Sequence, residues 1–189
     1  MPKRLLQLVA SAALVLYPVA IYFGLRYDSL RWATLVVLAA LAPAVYFRFK
    51  DETGSNLATF AWIPLLTATL LAVGALLDDS KYVFATPVVV NAILLVGFGA
   101  TLWTDTPMIE RFARLQTDEL NEQQIKWCHL WTIVWCCFFV VNALTAGILA
   151  LRAPMEWWAL YNSLISYILI GLLFGIERTL RWFRFEKGS

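Results

Sequence analysis

Two groups of ionisable side chains are the best candidates for chemistry in this chain. They are Glu110, Arg111 and Arg114 in the stretch TPMIERFARLQ, and Glu177, Arg178 and Arg181 in FGIERTLRWF. In each group a Glu stands next to one Arg and four residues before another, the spacing at which Glu and Arg pair along a helix. Guanidinium groups grip phosphate and carboxylate with two parallel hydrogen bonds. The six side chains together therefore suit an anionic headgroup, a pyrophosphate or the phosphopantetheine arm of a carrier protein. The plainer reading is that they anchor the chain at a membrane surface. There is no P-loop, glycine-rich phosphate turn, HExxH or serine nucleophile elbow. With 1 His and no Cys pair at ligand spacing, the chain lacks the three protein ligands that a zinc site needs, so neither metal nor cofactor is expected.

The elements that must position these groups are long and apolar. Of 189 residues 61% are hydrophobic and 15% charged, too few charges to cover a water-facing surface. The charges also cluster, leaving uncharged runs at 5–25, 32–47, 57–77, 83–103, 127–151 and 157–176. About 20 residues at 1.5 Å rise cross a hydrocarbon layer of roughly 30 Å, so these runs predict a six-transmembrane-helix bundle, all-α, as one integral membrane domain over 1–189. The second run is short. Lys3 and Arg4 precede the first run, but it continues too far past its small residues for a cleaved leader.

Between the fourth and fifth runs, residues 107–116 read as an amphipathic helix. Thr106 is placed to cap it and Pro107 suits its first turn. Met108, Phe112 and Leu115 fall on one arc with Ile109 beside them, and Glu110, Arg111 and Arg114 take the other side. Such a helix lies along a headgroup layer. Asn121 followed by Gln124 predicts a capping box, with a new helix from about Glu122 into the fifth span.

Lys and Arg mark the cytoplasmic side. With six spans and an inner N-terminus, that side holds Lys3, Arg4, Arg48, Lys50, Arg111, Arg114, Lys126, Arg178, Arg181, Arg184 and Lys187, leaving Arg26, Arg31, Lys81 and Arg152 outside. Both termini are thus expected in the cytoplasm.

The fifth span, KWCHLWTIVWCCFFVVNALTAGIL, carries an aromatic stripe of Trp127, Trp131, Trp135 and Phe138 that leads to Asn142 and Thr145. Such a stripe suits a wall for an acyl, polyene or isoprenoid chain, and equally well helix packing with an interfacial Trp anchor. Asn91, Asn142 and Asn162 are the amides at hydrocarbon depth, where no charged side chain is predicted, and that argues against an ion-driven pump. His129 is expected at the interface and Cys128, Cys136 and Cys137 as free thiols. Gly171 with Gly175, and Ala143 with Gly147, have the spacing of close helix contacts.

PMIERFARLQ, WTIVWCCFFVVNALTA and WWALYNSLISYILIGLLFGIER together resemble a family of small bacterial inner-membrane proteins found in aryl polyene and fatty-acid-like pigment gene clusters. The likeness covers roughly 87–181. More distantly, the same region is similar to the intracellular septation protein A family, whose members usually have Leu-Pro where this chain has Leu120 and Asn121. The basic groups, the aromatic stripe and this resemblance together point to a non-enzymatic component of an envelope lipid or aryl polyene pathway. Its partners would be membrane lipids and acyl carrier protein or biosynthetic enzymes at the inner face, with no nucleic acid. An intramembrane acyl or prenyl transferase using Glu110 or Glu177 as base, and a passive transporter through the Asn-containing core, are the alternatives.

Overall fold

The computed structural model describes residues 17–27, 30–50, 63–77, 79–115 and 119–186, and every regular element among them is helical. In chain order these are α1 (17–26), α2 (Leu30–Lys50), α3 (Ile63–Leu77), α4 (Ser80–Thr101), α5 (Met108–Arg114), α6 (Glu122–Arg152) and α7 (Met155–Phe185). Three of them, α4, α6 and α7, are long and apolar enough to cross a membrane. The six predicted spans reduce to these three among the described residues. The first run lies mostly outside them, as do residues 57–62 of the third. What is described of the second and third gives the shorter apolar stretches Arg31–Ala42 and Leu65–Leu77.

Local chemistry sets the helix ends. The Asp79 carboxylate accepts the Lys81 N–H at 2.9 Å and starts α4. The capping box forms as expected: Gln124 N–H donates to Asn121 Oδ1 at 2.9 Å, and Asn121 N–H to Gln124 Oε1 at 3.0 Å. Pro154 precedes α7, where its missing N–H costs nothing.

The central contact is α4 against α6, with α3 packed on α4, α2 on α3, and α5 docked on α6. One core cluster joins α1–α4 to Trp158, and a second joins Phe98, α5 and the first half of α6. These clusters leave much apolar surface outside. Only 33% of the most apolar window of α4, and 22% of those of α6 and α7, is buried inside the molecule. Leu144, Ile148 and Leu151 on α6 and Leu172 and Ile176 on α7 are exposed, apolar surface of a kind that suits lipid better than water.

Glycine has a different meaning at two places. A Cβ at Gly74 would sit 2.8 Å from Val83 Cγ2 and 3.3 Å from the Asp79 carbonyl, because the turn closes with Asp79 N–H donating to Gly74 O at 3.1 Å. Gly74→Ala is expected to destabilise by about 1–3 kcal/mol despite Ala's better helix propensity. At Gly171 and Gly175 no atom lies within 4 Å of an added Cβ, so no helix among the described residues uses that expected close-contact face. Gly171→Ala is expected to gain up to about 1 kcal/mol. Thermal melts of the two variants should move in opposite directions, and a common direction would contradict this geometry.

Candidate functional site

Neighbouring helices hold α5 in place. Its first free N–H groups are met by threonines of other elements: Met108 N–H donates to Thr101 Oγ1 at 2.9 Å and Ile109 N–H to Thr132 Oγ1 at 3.2 Å. Thr106 does not cap. Pro107 occupies the cap position, and the Thr106 carbonyl accepts Arg111 Nε at 2.9 Å.

The expected division of α5 into an apolar and a charged side is also corrected. Its buried residues are Met108, Ile109, Glu110 and Ala113, whereas Leu115 is 74% exposed. Glu110, only 1% exposed, can lie inside because Arg114 folds back over it, with Nε and Nη2 donating to Oε1 at 2.8 and 2.7 Å. Oε2 is sealed in without a hydrogen bond among the described residues. The helix therefore packs on α6 through Met108, Ile109 and Ala113, with the Glu110–Arg114 ion pair formed within α5 and its carboxylate enclosed beside them.

The second group repeats this arrangement at the end of α7. Glu177, 9% exposed, accepts Arg181 Nε at 2.8 Å and Trp127 Nε1 at 3.3 Å, while the Arg184 guanidinium lies 5.4 Å from the centre of the Trp127 ring. Trp127, which bonds Glu177, and Thr132, which receives the Ile109 N–H of α5, lie five residues apart on α6, so the fold brings the two groups to the same end of that helix.

The repetition has a source in the sequence. Residues 109–114 and 176–181 share the pattern Ile-Glu-Arg-x-x-Arg. In both copies the Glu is buried against the later Arg. The adjacent Arg is what differs. Arg111 turns to the Thr106 carbonyl and, at 3.2 Å, to the Thr104 hydroxyl. Arg178 is exposed and has no ion pair or hydrogen bond among the described residues.

Between α5, α6 and α7 lies a groove of about 630 Å³. Ile109, Phe112, Leu115, Trp135 and Phe174 form apolar walls, and Glu177, Arg178 and Arg181 complete the lining. Glu110, Arg111 and Arg114 do not line it. They fix the position of the helix that does.

The aromatic stripe faces inward. Trp131 is 6% exposed and Trp135 3%, with the Trp135 ring centre 4.7 Å from Phe174 and 5.8 Å from Phe139. Neither tryptophan forms a lipid-facing wall, because α5 and α7 cover that side of α6. Trp135 alone of the pair reaches the groove.

Deeper in the bundle, Asn91 Nδ2 donates to the Pro87 carbonyl at 2.8 Å, which leaves Oδ1 to accept Asn142 Nδ2 at 3.0 Å. Asn142 Oδ1 in turn accepts the Tyr161 hydroxyl at 2.8 Å. This chain of bonds ties α4, α6 and α7. Asn162 stays outside it and donates to the Trp158 carbonyl of its own helix at 2.8 Å. His129 is exposed, the three cysteines are free, and no group of three potential metal ligands occurs among the described residues.

The molecule is an all-helical protein with three helices of membrane-crossing length and composition. In comparison with known proteins, no family model, curated protein or solved structure matches the chain.

Proposed function

We propose that the chain is a multi-pass inner-membrane protein, with both termini cytoplasmic, that holds an amphiphile with an apolar chain and an anionic head and hands it on. It acts as a non-enzymatic component of an envelope lipid or aryl polyene pathway. The observation that carries this reading is the groove: aromatic and aliphatic walls meet an exposed guanidinium, Arg178, whose charge is not spent on a carboxylate. An alkyl chain lies along the walls, and a phosphate or carboxylate head takes Arg178, with a carrier protein docking at the same basic end. The resemblance to pigment-cluster membrane proteins supports the same reading. Of the two carboxylates considered as a transferase base, Glu110 is sealed away and only Glu177 borders the groove.

The test is binding of a fluorescent long-chain alkyl phosphate to the full chain in nanodiscs. Arg178→Gln is expected to weaken it tenfold or more, the value of a charge-assisted hydrogen bond of about 1.5–3 kcal/mol. Equal affinity in the variant would remove the groove from the proposal. Deleting the gene in a producing strain should alter the lipid-extractable pigments or acyl lipids, and unchanged profiles would remove the pathway role.

A further inference from the structure

A second cavity lies deeper, where α1, α3, α4, α6 and α7 converge. Its volume is about 340 Å³, at the lower end of the roughly 300–1,000 Å³ of small-molecule pockets. Among the described residues its lining contains no charged side chain, yet Asn91, Asn142, Asn162, Thr67, Ser166 and Tyr17 all contribute. The polar groups are unbalanced in a specific way: Thr67 is 1% exposed and Tyr17 6%, and neither hydroxyl has a hydrogen-bond partner among the described residues.

Buried hydroxyls without partners are disfavoured, and bundles seldom keep two beside one cavity unless something else satisfies them. The helix geometry adds an independent observation. Tyr161–Ile165 is wound as π-helix, with the Ser166 N–H donating to the Tyr161 carbonyl five residues back. Such single turns distort an α-helix and recur at functional sites. Here the turn carries Tyr161, whose hydroxyl holds Asn142, and Asn162, which lines the cavity after committing only its Nδ2 to the helix backbone.

Water alone is a poor occupant. At about 30 Å³ each, roughly ten waters would fill the volume, yet much of the lining is Ile63, Val90, Leu94, Phe139 and Ile170. A molecule with one polar end and an alkyl remainder matches both parts. The described lining offers amides and hydroxyls and no charged side chain, which suits a neutral head, since a phosphate there would be desolvated without a counter-ion among those residues. We infer that this cavity is an intramembrane binding site for the hydroxyl end of an uncharged long-chain lipid alcohol, held by the Asn162 and Asn142 amides and the Thr67 and Tyr17 hydroxyls. The inference is independent of the groove, which takes an anionic head at Arg178.

A diazirine-bearing long-chain alcohol, applied to the full chain in phosphatidylcholine nanodiscs, tests it by mapping the cross-linked peptides. Saturable labelling is expected within 87–94, 139–142 and 162–170, with competition by the unlabelled alcohol and little by the corresponding alkyl phosphate. Thr67→Val and Asn162→Leu should each weaken competition about tenfold, the loss for one buried hydrogen bond. Thr67→Val should do so without lowering the melting temperature, because it removes a hydroxyl that has no partner among the described residues. A merely structural role predicts the opposite pair of results. No saturable labelling, unchanged competition in both variants, or equal competition by the alkyl phosphate would overturn the site.

Discussion

Arg114→Met is expected to lower folding stability by about 3 kcal/mol, and Glu110→Leu combined with Arg114→Met to recover most of that loss. The asymmetry follows from where the two charges sit. The Glu110 side chain is 2% exposed and that of Arg114 40%, so removing the Arg strands a carboxylate inside the protein, whereas the Arg itself keeps access to water. Breaking a buried pair from one side costs about 3–5 kcal/mol, while replacing both partners with apolar groups is often neutral. The lower end applies because Arg114 is only partly enclosed. Oε1 of Glu110 takes both hydrogen bonds and Oε2 none, so no other donor among the described residues stands ready to compensate. Arg111→Met should cost less, since the Arg111 bonds to Thr106 and Thr104 reach neutral oxygens. Denaturant or thermal unfolding in detergent measures all of these. If the double variant were no better than Arg114→Met alone, a stranded Glu110 carboxylate would not be the source of the loss.

Asn142→Leu is expected to cost about 1–2 kcal/mol, and Asn162→Leu much less. Asn142 both donates to Asn91 and accepts from Tyr161, so its loss leaves two polar groups on two other helices without partners. In water, two such orphans would cost about 2–6 kcal/mol. Between apolar helices in lipid, measured side-chain hydrogen bonds average about 0.6 kcal/mol, because the separated helices also find partners, and that lowers the expected figure. Asn162 bonds only to its own helix backbone, so no neighbour is stranded when it goes. Melting curves of the two variants in the same detergent separate the roles. Equal losses would mean that Asn162 carries an interhelical bond, contrary to the geometry.

The helix boundaries show how far the chain could be read directly. Asn121 and Gln124 specify the start of α6 through contacts within one turn, and the structure has that start. The beginning of α5 could not be read this way. Thr106 is the nearest capping side chain in sequence, yet the groups that receive the first N–H bonds are Thr101 and Thr132, the latter 23 residues beyond its partner Ile109. Helical-wheel reasoning placed Glu110 on the polar side because it gives a carboxylate no means of being buried. Arg114 provides that means only once α6 covers the pair.

By itself the sequence determined the all-helical class, the long apolar segments of α4, α6 and α7, and the pairing of each Glu with the Arg four residues later. All of these depend on composition or on contacts within a single turn. Only the tertiary structure decided that Trp131 and Trp135 turn inward, that Asn142 rather than Asn162 ties the helices, and that Arg178 is left without a carboxylate beside an apolar groove. Those outcomes depend on which helix face meets which neighbour, and an apolar helix that is hydrophobic nearly all round carries little periodicity from which to choose the face.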